Sequence, residues 1–193
     1  MIQSTTRFLL LLTMMISLMI MVSCEKEISL DKLVKRNNVC YEINSEKPFS
    51  GRASRYYANG QQKEEMILQN GIGNGLSRGW RENGQLSFEE NLKDGLLNGE
   101  VKTWFENGQL EEESLYKDGV AEGLTTIWYD NGQIREESYM KNNRLDGSSK
   151  IWGLSGQLMD EAIYKDGKMI KSIYENFGNS EDIEALIPES LGQ

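Results

Sequence analysis

The sequence predicts an all-β protein: a single-layer antiparallel meander of about ten strands, built from repeated 24-residue β-hairpins. Three observations predict it, namely a fixed period of 24, two turn signals per period, and β-branched and aromatic runs between the turns. The period is clearest in an Asn-Gly-Gln motif, whose turn glycines are Gly60, Gly84, Gly108, Gly132 and Gly156. Since so small a unit buries apolar surface only against its neighbours, stability is expected to come from contacts between repeats.

Both turns of each repeat are predicted to be two-residue loops. The first is Asn-Gly, and the second reads Asp94-Gly95 in one repeat and Asn142-Asn143 in another. Asn-Gly and Asp-Gly favour the type I′ turn, because both of its central residues need a positive φ. Asn143 fits the same turn, since Asn adopts left-handed backbone more readily than most residues. The runs between turns, such as 85–93 and 96–106, have a length typical of strands.

Two-residue loops determine which side chains share a face of the sheet. With that register Arg81 faces Leu86, and Leu92 faces Leu97. One face, the predicted core, then collects Leu86, Phe88, Leu92, Leu97, Val101, Phe105, Leu110, Tyr116, Ile127, Tyr129, Ile134, Met140, Ile151, Leu158 and Tyr164. The other face collects the tryptophans, one glutamate per repeat, Leu115, Tyr139 and Ile163. A glycine series from Gly51 to Gly147 lies inside strands, where a bulge would exchange the faces beyond it.

The repeat can be written G-x-x-x-x-W-x-x-N-G-Q-L-x-x-E-x-x-x-K-D-G, with clear copies at 99–119 and 123–143. This pattern resembles the bacterial variant of the MORN repeat, and the resemblance extends over about residues 38–174. It implies a sheet of hairpins that acts as an interaction or membrane-association module. Members of the family often carry the label of YwqK-type antitoxins, and many are exported or lipid-anchored. The resemblance therefore implies an exported, antitoxin-like repeat protein.

The first 23 residues have the features of a secretory signal. Arg7 precedes the apolar run 8–22, and Ser23 and Cys24 follow it. The end of this segment resembles a bacterial lipobox, which implies cleavage before Cys24 and lipidation of Cys24. Acyl chains there would tether the protein to a bacterial membrane, and Glu25 favours the outer membrane if the cell has one. An ordinary signal peptide or an uncleaved anchor is the alternative.

The predicted order of segments is a signal peptide (1–23), a lipidated linker and cap (24–50), five repeats (51–174) and an acidic C-terminal cap or tail (175–193). The formal net charge of the chain is −9, and it becomes −10 without the leader, whose only charged side chain is Arg7. Such an acidic protein is not expected to bind nucleic acid, where phosphate neutralisation supplies most of the affinity. Cys40 has no second cysteine to pair with once Cys24 is acylated.

Two columns of the repeat carry candidate functional side chains. The aromatic column could pack between repeats or form a platform for sugars, lipid headgroups or a partner; it comprises Tyr56, Trp80, Trp104, Trp128 and Trp152. The carboxylate column could bind calcium or serve a glycan site; it comprises Glu65, Glu89, Glu113, Glu137 and Glu161. Catalysis needs two carboxylates in different environments, whereas repetition gives every copy the same one. The favoured interpretation is that each glutamate accepts hydrogen bonds from a turn or an indole N–H.

No catalytic group, metal ligand set or cofactor is predicted. The chain has no histidine, which is the commonest general base, and no glycine-rich loop with phosphate-binding spacing. The sequence therefore predicts a non-enzymatic, exported β-repeat scaffold that binds an unknown protein partner or an envelope glycan. The alternative is a cell-wall or glycan-binding lipoprotein that uses the row of tryptophans.

Overall fold

The computed structural model describes residues 26–172, which form two sheets and one 3-10 helix at Leu30–Lys32. The strands are β1 (Glu27–Ser29), β2 (Leu33–Arg36), β3 (Val39–Glu42), β4 (Gly51–Tyr56), β5 (Gln62–Gln69), β6 (Ile72–Trp80), β7 (Leu86–Lys93), β8 (Leu96–Trp104), β9 (Leu110–Lys117), β10 (Val120–Ala121), β11 (Gly123–Trp128), β12 (Ile134–Lys141), β13 (Arg144–Trp152), β14 (Leu158–Lys165) and β15 (Lys168–Ser172). The predicted signal peptide, Cys24 and the C-terminal tail lie outside the described residues. Within that described stretch, no helix is long and apolar enough to cross a membrane.

The predicted all-β antiparallel meander is confirmed. Strands β4 to β15 follow one another across a single open sheet in chain order, with β10 and β11 sharing one place beside β9. The sheet has 13 strands, more than the predicted ten, because β1 joins in parallel beside β4, β15 is added after the last repeat hairpin, and β10 and β11 are two separate strands. The strands β2 and β3 form a separate hairpin.

The second turn of each repeat is the predicted type I′ turn, and the first is not. Asp94 and Gly95 both have positive φ, +52° and +80°, and the flanking Lys93 and Leu96 are paired. In the Asn-Gly loop only the glycine is left-handed, as in Gly84 at +85°. There Gly84 N–H donates to Arg81 O at 2.9 Å, and Arg81 N–H donates to Gln85 O at 2.8 Å. This is a longer loop, typical of a type I turn closed by a glycine bulge.

The longer loop corrects the predicted faces near the Asn-Gly motif. Arg81 does not face Leu86; Trp80 pairs with Leu86, and the register shifts by one residue before Gly79 pairs with Phe88. The bulge places the aliphatic residue after Asn-Gly-Gln in the tryptophan row instead of on the predicted core face: Leu86, Leu110, Ile134 and Leu158. Phe105 and Tyr129 lie in the loops. The predicted pairing of Leu92 with Leu97 is confirmed.

The most apolar core lies at the N-terminal end of the sheet. Phe49, Ala53 and Leu68 are buried there, and Ile28, Leu30, Leu33, Cys40 and Met66 pack against them. The β2–β3 hairpin is joined to the first repeat through backbone hydrogen bonds from Cys40 N–H to Gly71 O (2.8 Å) and from Gly71 N–H to Phe49 O (2.6 Å). This segment covers one end of the array, where the first repeat has no preceding repeat to pack against.

In the central repeats the buried side chains are small. Ser138 pairs with Ser149, which pairs with Ala162, and these three residues are all buried. Ser77 and Ser114 occupy equivalent places in earlier repeats and are 2% exposed. Larger side chains two residues away along the strands lie on the same face, as Tyr164 does beside Ala162. The predicted aliphatic core is therefore a thin layer of serine and alanine flanked by larger, half-buried residues.

Candidate binding surface

The face that carries the tryptophans, here called the tryptophan face, is built of three rows that cross the strands. Neighbouring strands place Glu65 beside Arg78, Arg78 beside Glu89, and Glu89 beside Lys102. The same row continues through Glu113, Thr126, Glu137, Lys150 and Glu161. One side of this charged row is flanked by the tryptophan row and the other by a row that contains Leu115 and Tyr139, since side chains two residues apart share a face.

Cations of alternate strands pair with the repeated glutamates. Arg78 Nε lies 2.7 Å from Glu89 Oε2, and its Nη1 lies 3.6 Å from Glu65 Oε1, so one guanidinium bridges two repeats. The hydrogen bond to Glu89 is the main reason why the pKa of Arg78 is raised, against an opposing effect of burial. Lys102 Nζ lies 2.9 Å from Glu100 and 3.1 Å from Glu113, and these two carboxylates raise the pKa of Lys102 in that order.

These ion pairs revise the expected role of the glutamates. No hydrogen bond from an indole N–H reaches them within residues 26–172; four of the five instead have Arg or Lys partners. Lys150 Nζ contacts Glu161 at 3.6 Å, whereas Glu137, between Thr126 and Lys150, has no ion pair among the described residues. Partly exposed pairs of this kind contribute about 0–1 kcal/mol each. The carboxylates therefore serve mainly to link the two strands of one hairpin, and the Arg78–Glu65 pair also joins two successive repeats.

The tryptophan row is half-buried, so burial alone does not decide between the packing role and the platform role that the sequence left open. Each tryptophan pairs across its hairpin with an aliphatic side chain, as Trp104 does with Leu110, and all four are partly exposed. Tyr56, at the same repeat position, pairs with the polar Gln62 and is 53% exposed. Each indole thus lies beside an aliphatic side chain of the neighbouring strand and keeps part of its surface exposed.

A hydrogen bond between repeats, not anticipated from the sequence, holds the tryptophan backbone. The Tyr57 hydroxyl donates to Trp80 O at 2.8 Å, and the Tyr129 hydroxyl donates to Trp152 O at 2.9 Å. Arg81 makes the equivalent contact with Trp104 O at 2.6 Å. The donor is always the residue after the aromatic column. The residues at this position of the repeat are Tyr, Arg, Phe, Tyr and Gly. Because these residue types differ in chemistry, the sequence pattern did not reveal the hydrogen bond.

The Asn-Gly-Gln loops form one rim of the sheet. Asn107 Oδ1 accepts from Gln109 N–H at 3.0 Å within its own loop, while Asn107 Nδ2 donates to Asp130 O of the next loop at 2.6 Å. Asn59 and Asn131 make the same bond to the following loop. The glutamine of one loop lies against the turn glycine of the next, where a Cβ on Gly132 would approach Gln109 Oε1 to 3.0 Å. The Asn, the Gly and the Gln of the motif therefore each have a structural role.

The type I′ turns form the opposite rim, and they too are linked in register. Gly119 N–H donates to Leu97 O at 2.8 Å, and Gly167 N–H donates to Leu145 O at 2.8 Å. Asp146 accepts from Lys165 Nζ at 3.0 Å and from Asp166 N–H at 3.2 Å. The bond from Lys165 is the main reason why the pKa of Asp146 is lowered. A polar residue precedes each strand glycine in the sequence. This regularity is the sequence feature from which the contact could have been predicted.

The predicted site residues do not converge on one point. The tryptophans and glutamates run in parallel rows across the sheet, and equivalent strands of successive repeats lie about 10 Å apart. The turn glycines lie on the rim, and Cys24 is outside the described residues. Such an arrangement offers the same contacts repeatedly along one direction, which suits an extended surface of a partner better than a small substrate.

A family model described as MORN repeat variant matches residues 97–118 and 121–142. No curated protein matches the chain. The two matched segments correspond to strands β8 to β9 and β10 to β12, which are two adjacent repeats in the middle of the sheet. The resemblance that the sequence pattern indicated is confirmed for these segments: the two central repeats of this chain are similar to the MORN repeat variant.

Proposed function

We propose that the protein is a non-enzymatic binding scaffold that presents the tryptophan face of its repeat sheet to a protein partner. The observation that carries this proposal is the repetition of half-buried tryptophans and paired charges across an open sheet. The two segments similar to the MORN repeat variant support the same function, because a repeat array offers a long, regular surface for interactions.

The distribution of the glutamates opposes an enzymatic function. A pair of catalytic carboxylates needs different environments so that one can act as an acid and the other as a base. Here Glu65, Glu89 and Glu113 occupy equivalent places, and each is neutralised by a neighbouring cation. A binding role uses such repetition directly, since each repeat adds contacts of the same kind.

The scaffold hypothesis can be tested with two matched deletions, one of residues 75–98 and one of residues 99–122. Each removes one full repeat, so both proteins should fold and capture a partner with a weaker affinity than the intact chain. Binding is measured by titration of whichever envelope protein the intact chain captures. Complete loss of binding in one well-folded deletion, with binding kept in the other, would show that a single unique site, and not a repeated surface, carries the function.

We also propose that the scaffold is exported and held at a bacterial membrane through a lipid on Cys24. The basis is the signal-like segment before Cys24 and the short distance in sequence from Cys24 to the first strand at Glu27. Cys24→Ser should release the protein from the membrane fraction. A variant that stays in the membrane fraction would contradict lipidation and favour an uncleaved anchor. The antitoxin-like label suggested by the family resemblance remains a prediction.

A glycan of the cell envelope is the second candidate ligand. It is favoured by the partly exposed tryptophan row, since aromatic rings with one accessible side suit the apolar faces of sugars. Quenching of tryptophan fluorescence by soluble cell-wall fragments tests it. Quenching that is reduced in Trp128→Ala but kept in Glu137→Gln would support the glycan, whereas no response to any fragment would contradict it.

A further inference from the structure

The charged row of the tryptophan face lacks its cation in two repeats, at Ser54 in the first repeat and at Thr126 in the middle of the array. Arg78, Lys102 and Lys150 each stand between two glutamate strands, whereas the equivalent residue between Glu113 and Glu137 is Thr126. Glu113 is paired with Lys102 on its other side, at 3.1 Å. Glu137 has no ion pair in the described part of the chain. Among residues 26–172, Glu137 is therefore the glutamate of the row that makes no ion pair, since its neighbour across the strands, Lys150, contacts Glu161 instead.

Exposed apolar side chains lie beside the second of these two positions. Leu115 is 42% exposed and Tyr139 is 47% exposed, and Leu124, which pairs with Tyr139, lies on the strand between them. The equivalent residues in other repeats are Ile67, Asn91 and Ile163, which are less exposed. The apolar surface is thus not a general property of the repeat but is concentrated at this position.

The negative charge of the repeat array is concentrated in the same two repeats. Residues 99–146 contain five Lys or Arg and eleven Asp or Glu, a net charge of −6. Residues 51–98 and 147–172 together contain ten Lys or Arg and nine Asp or Glu, a net charge of +1. Complementary potentials of this kind steer an oppositely charged partner and select against like-charged ones.

We propose that Leu115, Leu124, Thr126, Glu137 and Tyr139, together the Leu115–Tyr139 surface, dock a basic segment of a partner protein. Thr126 itself is buried, at 8% exposed, so a Lys or Arg of that segment lies over it and takes the role that Lys102 and Lys150 have in their own repeats. It pairs with Glu137, and aliphatic neighbours in the segment cover Leu115 and Tyr139. This inference rests on the proposed scaffold function and specifies the chemistry and place of one contact.

Charge decides between the possible occupants. Anionic lipid headgroups would be repelled by the excess of carboxylates in residues 99–146. The C-terminal residues 173–193 contain five Asp or Glu and no Lys or Arg, so the chain's own tail has the wrong sign. A second copy would bring the same acidic surface to itself. A basic protein segment satisfies both the unpaired carboxylate and the apolar side chains.

The test is an NMR titration of the purified protein with a short synthetic peptide of alternating lysine and valine. The backbone signals of Leu115, Leu124 and Tyr139 should shift, and a matched peptide with glutamine for lysine should bind at least about tenfold more weakly. Equal binding of the two peptides, or shifts confined to other residues, would overturn the proposal. Shifts of the same signals with anionic vesicles, or on self-association without peptide, would overturn it in favour of a lipid or a second copy.

A lysine placed at position 126 of the chain itself gives a second, more specific test. Thr126→Lys should weaken binding of the lysine peptide at least about tenfold, because the new ammonium pairs with Glu137 itself. Its melting temperature should equal or exceed that of the wild type, which separates this effect from unfolding. The isosteric control Thr126→Val should keep the affinity within about twofold. If folded Thr126→Lys binds the peptide as the wild type does, the proposal fails.

The same variant separates this inference from the scaffold function. If Thr126→Lys still captures the natural partner while losing the lysine peptide, the scaffold function stands and the Leu115–Tyr139 surface is not the place where that partner docks. If neither the wild type nor the variant captures any partner, the scaffold function fails, and so does the inference that rests on it.

Discussion

The residues of the Asn-Gly-Gln motif stabilise the loop of their own repeat and also its contact with the next repeat. In the third repeat Asn107 closes its own loop and donates to the loop of the next repeat, and Gly108 supplies a left-handed residue with φ of +84°. The sequence alone predicted a turn with a left-handed glycine at this place. It missed the longer loop, because Asn-Gly is equally compatible with a two-residue type I′ turn and with a type I turn followed by a glycine bulge.

Because the backbone at Gly108 is left-handed, the stability lost on replacing this glycine depends on the shape of the new side chain. Gly108→Val should lower the free energy of unfolding by about 1–3 kcal/mol, since a β-branched residue is strained at positive φ. Gly108→Asn should be much milder, because Asn tolerates this conformation. Thermal unfolding of both variants measures the difference. Equal melting temperatures would contradict the left-handed conformation at Gly108.

The ion pair of Asp146 predicts a pH dependence. Its carboxylate accepts from Lys165 and from Asp166 N–H, and its pKa lies below the usual value. A lowered pKa in the folded state stabilises the protein above the unfolded pKa of about 3.9, and this contribution is lost as the pH falls through the folded pKa.

Asp146→Asn should therefore melt at a lower temperature than the wild type at neutral pH, and the two melting curves should converge in acid. Asp130→Asn, which removes an exposed loop carboxylate without an ion pair, serves as the control and should have little effect. A difference between Asp146→Asn and the wild type that stays constant from neutral pH to strong acid would contradict the ion pair.

At the level of strands and loops, the register was predictable in part. The type I′ turns, the pairing of Leu92 with Leu97 and the shared face of tryptophans and glutamates followed from spacing and alternation. The position of Leu86 did not, since a bulge next to the loop moves it beside Trp80. Cations opposite the glutamates were missed because Ser54, Arg78, Lys102, Thr126 and Lys150 differ in chemistry, although they recur at the same period of 24. Only cross-strand pairing shows that they share a row.

The hydrogen bond from each loop to the next tryptophan can be tested by a reciprocal pair of substitutions. Tyr129→Phe removes the bond to Trp152 O and should lower the free energy of unfolding by about 0.5–1.5 kcal/mol. Phe105 is the natural residue without a hydroxyl at the equivalent place, so Phe105→Tyr should gain a bond to Trp128 O and raise stability. Chemical denaturation measures both. Opposite signs are expected; a loss of stability in Phe105→Tyr would contradict the equivalence of the two loops.

For the whole molecule, the regular spacing of the repeats explains why the fold was easier to predict than the binding surface. A period of 24 residues specifies strands, turns and their order, because every repeat must pair with the next in the same way. The docking position proposed at Thr126 is a place where one repeat differs from the others, and a single residue outside the pattern has no periodic signal. The N-terminal cap was likewise outside the pattern, and its contacts with Gly71 depend on the three-dimensional fold.

The central claim is that the repeats are interchangeable structural units of one open sheet, and a deletion of residues 99–122 tests it most directly. Asn98 then precedes Gly123, so every strand and loop keeps its register. The shortened protein should keep its β-sheet circular dichroism and unfold cooperatively, with the calorimetric enthalpy reduced by about 17 kcal/mol for the 24 residues removed.

A deletion of residues 99–110 is the matched control. It removes half a repeat, which takes one strand out of a hairpin and breaks the alternation of the two turn types, so this protein should lose its sheet or unfold at a much lower temperature. The account predicts a folded full-repeat deletion and a severely destabilised half-repeat deletion. An unfolded full-repeat deletion, or two deletions with the same stability, would contradict it.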